Sequence, residues 1–268
     1  MIAATYIINL ASSTERWRTM QPLLDVTGLP NRIRFDAVDG RALGEEGIRA
    51  MQEAGRLSTD LSRFDEKTRA GEIGCALSHA GVLADIVRNE WPAAMIFEDD
   101  IVLDGDPGVW RKRYNKAFAD LPRDWEVWYL YRCFDIEHRT VRITPRTLIP
   151  WTPQGGAAYA VTLEGARKML AALEPVASAV DRIYMDLVKT RQLKAFASSP
   201  MLIRPGFHPS VINSDGSRKW VENGVNQPPE YWPDEDFGWL GETIPRKKPA
   251  GLLKRIADGA RQIMGRAA

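Results

Sequence analysis

The chain has 268 residues with a formal net charge of +1, 44% hydrophobic and 26% charged residues. That is ordinary globular composition, enough for one large α/β domain or two small ones, and it excludes a low-complexity or collagen-like chain. The charge is unevenly spread: residues 246–268 carry a net of +6, leaving −5 for the rest, and an acidic body argues against nucleic acid as the main partner. The N-terminal Met1-Ile2-Ala3-Ala4 has no charged start, so the expectation is a first strand and not a signal peptide. Cys75 and Cys133 are the only cysteines, which fits a reducing compartment. No apolar stretch approaches the ~20 residues that span a bilayer, and the expected location is the cytoplasm.

In chain order, Thr5 to Asn9 is apolar and β-branched and predicts a strand. Ser12, Ser13 and Thr14 offer cap chemistry for a helix reaching about Asp25, with Glu15 and Arg16 in its first turns. Arg32 to Ala37 predicts a second strand. Residues 41–70 are polar and read as short helices and a mobile loop. Glu72 to Arg88 carries one apolar stripe and predicts a helix, ended by Trp91-Pro92. A strand follows up to Glu98. Val127 to Tyr131 and Gly155 to Val161 predict two more strands. Leu163 to Leu173 predicts a helix, and Ile183 to Val188 lies on another. Strands alternating with helices indicate an α/β fold with a mainly parallel sheet covered on both faces. Residues 1–215 are read as this domain, 216–245 as an irregular Pro- and Trp-rich arm, and 246–268 as a basic amphipathic helix suited to an anionic membrane surface, with packing on the domain or a partner subunit, or disorder allowed by Gly259 and Gly265, as the alternatives.

The most informative stretch is Met95-Ile96-Phe97-Glu98-Asp99-Asp100. A buried strand runs into three carboxylates, where open α/β sheets bind ligands. At ~4 Å and an effective dielectric of ~20, each like-charge pair costs about 4 kcal/mol. A hard cation, Mn2+ or Mg2+, relieves that repulsion and bridges to phosphates. The plainer alternative is a solvated acidic turn. Alternation along the strand puts Glu98 and Asp100 on one side, as the first metal pair, with Asp99 on the other.

Other candidates lie along the chain. Asn9 and Arg16, at the end of the first strand and the start of its helix, are placed to hold a nucleotide base or diphosphate. Asp36 and Asp39, flanking the second turn with Gly40, suit a ribose or an ordinary turn. In Gly71-Glu72-Ile73-Gly74-Cys75-Ala76-Leu77-Ser78-His79, glycines replace better helix formers. Cys75 falls on the apolar stripe and reads as core. Ser78 and His79 read as positioning groups, without the strained elbow of a hydrolase. Gly155 and Gly156 permit close backbone approach to a ligand. Asp181 is either a helix cap or a general base.

Taken together, the Ile-Asn-Leu strand with Glu15-Arg16, Phe35-Asp36-Ala37-Val38-Asp39-Gly40, Gly71 to His79, Glu98-Asp99-Asp100, Gly156 to Tyr159 and Asp181 resemble glycosyltransferase family 25, the lipooligosaccharide biosynthesis glycosyltransferases. Trp17 stands where the family commonly has a second basic residue. The resemblance implies a GT-A type, Rossmann-like fold binding a UDP-sugar donor, often with Mn2+. It implies an inverting transfer of galactose or glucose to a glycan or glycolipid acceptor of the lipooligosaccharide or lipopolysaccharide type. Animal relatives act on collagen, and the absent signal peptide and scarce cysteines argue against that branch. Asp181 is the candidate base and His79 the second. A non-catalytic carbohydrate- or nucleotide-binding protein and a nucleotidyltransferase are the alternatives.

Overall fold

The structure is a computed structural model that describes residues 1–133 and 140–206. The expected arm at 216–245 and basic helix at 246–268 lie outside the described residues.

The chain begins with β1 (Ala4–Asn9), α1 (Thr14–Thr27), β2 (Arg32–Asp36), α2 (Gly40–Glu53), α3 (Arg69–Arg88), β3 (Ala93–Glu98) and β4 (Ile101–Leu103). It continues with α4 (Pro107–Ala119), β5 (Val127–Tyr129), β6 (Val141–Thr144), β7 (Thr147–Ile149), β8 (Ala158–Thr162), α5 (Leu163–Leu173), α6 (Val180–Lys189), β9 (Ala195–Ser198) and β10 (Ile203–Pro205). Eight strands form one sheet in the order β2-β1-β3-β8-β5-β9-β7-β6, and β4 pairs with β10 in a small ribbon. β1, β2, β3, β5, β9 and β6 run one way, while β8 and β7 run against them. The expected α/β fold with a mainly parallel sheet is thus present.

Both faces of the sheet are covered, which is why β1 and β3 are apolar runs without alternation in polarity. Tyr6, Ile8 and Ile96 point toward the core under α3, α5 and α6, with Tyr159 and Val161 of β8 beside them. The opposite face holds an aromatic stack from α4 and β5, with Trp110 on Tyr114 at 5.2 Å and Tyr114 on Trp128 at 5.5 Å. α3 is long and apolar enough by composition to cross a membrane, contrary to the expectation that no stretch is. Its Ile73, Leu77, Leu83 and Ile86 are buried among the core residues of the domain instead.

Several boundaries differ from expectation. Residues 40–53 form a helix kinked at Gly44, within the stretch expected to hold short helices and a mobile loop. The strand expected from Gly155 starts only at Ala158, because Gly155 adopts φ +106°, outside the extended region. β4, β6, β7, β9, β10 and α4 are not apparent from pattern. The strands are of three or four residues, too short for periodicity to register.

Candidate active site

β1 leads to β2 on one side of the sheet, and the chain then crosses to β3 on the other side of β1. The strand order therefore reverses at β1. Carboxyl ends of strands at such a reversal form the ligand crevice of open α/β sheets. A cavity of about 530 Å³ opens there, of the size that takes a small molecule. Because β8 runs against β3, the loop before it, Gln154 to Ala157, returns to the same end, with Glu98 N–H donating to Ala157 O at 2.9 Å.

The acidic turn forms one wall. β3 ends at Glu98, so strand alternation no longer governs Asp99 and Asp100. Asp99 accepts from Asn9 Nδ2 at 2.6 Å and from Arg16 Nη1 at 2.8 Å, and its side chain is 8% exposed. Arg16 also lies 3.8 Å from Asp100 Oδ2. The protein thus supplies part of the compensating charge itself. Asp99, expected as a metal ligand, is engaged by Arg16 and Asn9, and Arg16, expected at a nucleotide, binds this carboxylate; both residues line the cavity. Asn9 is set in turn by Arg34, whose Nε and Nη2 donate to Asn9 Oδ1 at 2.9 and 2.5 Å. Glu98 and Asp100 line the cavity. Their oxygens are the hard donors that Mn2+ or Mg2+ takes, so the donor set fits the expected cation.

The opposite wall is the start of α3. Gly74 in this helix and Gly40 opposite it have a steric cause. A Cβ on Gly74 would stand 2.5 Å from Val38 O, and one on Gly40 would stand 1.7 Å from Ala70 O. Helix and β2–α2 loop therefore touch backbone to backbone. Ser78 Oγ accepts from Val38 N at 2.8 Å and donates to Gly74 O at 2.6 Å, tying that loop to the helix. Asp39, at the rim, accepts from Arg41 N and Ala42 N and caps α2, so the turn role is met. Asp36 is exposed at the end of the edge strand and does not line the cavity.

His79, the second candidate base, is 0% exposed and is not among the residues that line the cavity. Its Nδ1 lies 2.9 Å from Tyr159 Oη and its Nε2 3.3 Å from Glu98 Oε1. Tyr159 continues to Tyr184 at 3.2 Å. His79 thus links the buried Tyr159–Tyr184 pair to Glu98. Cys75, read as core, lines the cavity with Sγ 3.8 Å from Glu98 Oε1. Burial pushes its thiol well above the ordinary range, and the Glu98 and Asp181 carboxylates push it further.

Asp181 faces the acidic turn from the first turn of α6. Its Oδ1 accepts from Gly156 N at 2.9 Å. Burial raises its pKa above the ordinary carboxylate value, and the Glu98 charge adds to this, against the lowering by Gly156 N–H and His79. A Cβ on Gly156 would sit 3.4 Å from Asp181 Oδ1 and 3.5 Å from the His79 ring, ordinary contact distances, so space alone does not require glycine there. Gly155 has a positive φ, and its Cβ would meet the Tyr131 ring at 2.8 Å. Tyr131, Cys133 and Gln154 complete this side and have no signature in the sequence. Cys133 and Gln154 exchange backbone hydrogen bonds of 2.8 and 3.1 Å, joining two loops across the cavity rim. The Cys133 thiol is pushed up to about 12, first by burial and then by Asp181.

A crevice at a strand-order reversal, lined by carboxylates and closed by glycine-led backbone, defines an α/β protein built to hold a small polar ligand. The chain belongs to glycosyltransferase family 25: the family model described as "Glycosyltransferase family 25 (LPS biosynthesis protein)" matches residues 2–184. It is 27% identical to the rat "probable inactive glycosyltransferase 25 family member 3", over 95% of this chain and 46% of that protein. It is 26% identical to mouse procollagen galactosyltransferase 2, over 75% of this chain and 34% of that protein. The chain thus spans less than half the length of these two relatives. Among solved structures it is similar to mannose-1-phosphate geranyltransferase of Thermus thermophilus, with a TM-score of 0.34 and 11% identity over 74% of this chain and 73% of that one.

Proposed function

We propose that the chain transfers a hexose, galactose or glucose, from a UDP-sugar to a glycan or glycolipid acceptor of the lipooligosaccharide type, with inversion. The observation that carries this reading is the cavity in which Asp181, of raised basicity, faces Glu98 and Asp100 across the reversal at β1. Family membership supports a hexosyltransferase, as does the name of the mouse relative.

In one displacement, the acceptor hydroxyl oxygen attacks the anomeric carbon and bonds to it. The bond from that carbon to the β-phosphate oxygen breaks, and UDP leaves with the electron pair. Asp181 takes the hydroxyl proton, and the raised pKa makes it a stronger base than an ordinary carboxylate. Glu98 and Asp100 would hold Mn2+ or Mg2+, which would supply positive charge to a diphosphate leaving group. Arg16 and Asn9 fix Asp99 and with it the turn that carries Asp100. Gly155 and Gly156 let donor and backbone come close.

A second reading, a nucleotide-sugar-binding protein without turnover, is favoured by the rat relative named as probably inactive. The test is release of UDP from UDP-galactose and UDP-glucose with a glycolipid acceptor, in Mn2+ and in chelator. Metal- and acceptor-dependent UDP release supports transfer. Saturable UDP-sugar binding with no UDP release supports the second reading.

The site on the membrane is part of the proposal. Residues 246–268, with Lys254, Arg255, Arg261 and Arg266 among their basic residues, would bring the enzyme to an anionic cytoplasmic surface where a lipid-linked acceptor lies.

A further inference from the structure

The cavity wall contains a second donor set of different chemistry. Cys75 and His79 stand four residues apart on α3, hence on one face of the helix. Glu98 meets both from the end of β3. Among the described residues, one ligand atom from each lies within 4.8 Å of the other two. His79 Nε2 and Glu98 Oε1 are 3.3 Å apart, and Cys75 Sγ and Glu98 Oε1 are 3.8 Å apart. Bonds of ~2.0–2.3 Å at tetrahedral angles put neighbouring ligands roughly 3.3–3.7 Å apart. Two edges of a tetrahedral face are therefore in place, and the third closes on a small rotation of the Cys75 side chain.

The surroundings point the same way. Metal-bound histidines donate their other ring N–H to a fixed partner. His79 Nδ1 has that partner in Tyr159 Oη, itself hydrogen-bonded to Tyr184, and all three groups are buried. With Nδ1 protonated and donating to Tyr159, the Nε2 lone pair would face the Glu98 carboxylate, where a cation would satisfy both. Cys75 and Glu98 line the cavity, so a fourth position opens to solvent or ligand.

We propose that Cys75, His79 and Glu98 form a three-ligand site for Zn2+ on the α3 wall of the cavity, distinct in chemistry from the carboxylate pair Glu98–Asp100. A thiolate and an imidazole select Zn2+ over Mg2+ or Mn2+. Binding displaces the thiol proton of Cys75 to solvent. Because Glu98 belongs to both donor sets, Zn2+ and the hard cation exclude one another there, and zinc acts as an inhibitor of the proposed transfer.

The test uses the full chain, reduced and stripped of metal, without nucleotide sugar, so that it stands whether or not transfer occurs. Zn2+ is titrated against a chromophoric chelator, and Co2+ is loaded for absorption spectroscopy. The expected result is one equivalent of Zn2+ and a thiolate-to-cobalt charge-transfer band. Cys75→Ser should lose the band and bind Zn2+ at least ~10-fold more weakly, while Cys133→Ser keeps both. Circular dichroism checks folding, and Glu98→Gln, on the cavity surface, should weaken binding yet retain the band at saturating Co2+. Absence of stoichiometric Zn2+ binding, a band that follows Cys133, or unchanged affinity in both Cys75→Ser and Glu98→Gln would overturn the proposal.

Discussion

Asp99 and Asp181 are carboxylates on opposite walls of one cavity, and the fold treats them in opposite ways. Asp99 receives an amide N–H from Asn9 and a guanidinium from Arg16, a pairing that holds its side chain in place. Asp181 receives the backbone N–H of Gly156, while burial and the nearby Glu98 charge raise its pKa. A compensated carboxylate fixes geometry, and an under-compensated one is free to take a proton. The acidic turn is thus a scaffold for Glu98 and Asp100, and the start of α6 carries the carboxylate proposed as the base.

The largest effect expected from breaking this division falls on the remaining acid of the turn. Asp100→Ala should abolish metal-dependent UDP-sugar binding, read by calorimetry with and without Mn2+, with the fold intact. Undiminished Mn2+-dependent binding in that variant would remove Asp100 from the cation site. Next, Asp99→Asn leaves Arg16 without its buried partner and should destabilise by about 3 kcal/mol in urea unfolding. Asp100, 3.8 Å from Arg16, keeps this at the low end of the range for broken buried pairs.

Asp181→Asn is the contrasting variant. It should lower kcat by ~100-fold with donor affinity nearly unchanged. Stability should move the other way from Asp99→Asn. The folded-state pKa of Asp181 lies above its unfolded value, so the folded chain keeps a proton that the unfolded chain has lost. Stability therefore falls as pH rises from the unfolded pKa through the folded one. Above that window Asp181→Asn should melt no lower than the wild type, and its melting curve should lack this slope. A wild-type rate would return Asp181 to a capping role.

The sequence carried the scaffold better than the reactive side. The apolar run before Glu98 marks β3 and the carboxyl end where the cavity lies, because a strand covered on both faces has no other way to appear. The glycines of the Gly71–His79 stretch were visible as unusual, but their cause was not: Gly40 and Gly74 meet across a long-range contact. Cys75 fell on the apolar stripe of α3, and the stripe does not say that its end opens into a cavity. An Asp in a first helical turn looks the same whether it caps or reacts. Only burial, the Gly156 N–H and the Glu98 charge distinguish Asp181, and these come from β8 and β3. Tyr131 and Gln154 sit in loops whose placement depends on strand pairing that no local pattern encodes.

The smallest effect concerns how the scaffold is itself held. Arg34 stands on the edge strand β2, exposed, with its guanidinium 5.0 Å from the centroid of the Trp17 ring. Arginine has only donors, so Asn9 must present Oδ1 to it, and Nδ2 is then directed to Asp99 and Ser13 O. Trp17 thus carries a cation from β2. Arg34→Ala removes the orienting donors but leaves the Asn9–Asp99 bond possible, so the cost should be only about 1 kcal/mol. That corresponds to roughly 2–4 °C in melting temperature for a domain of this size. Arg34→Lys should restore little of it, since a lysine cannot offer two donors in the guanidinium plane or stack as well on Trp17. The decisive measurement is the double variant with Asp99→Asn. If Arg34 acts through Asn9 on Asp99, its loss costs less once Asp99 is neutral, and the two effects fall short of adding by about 0.5 kcal/mol or more. Strict additivity would make Arg34 a surface residue with no part in placing the acidic turn.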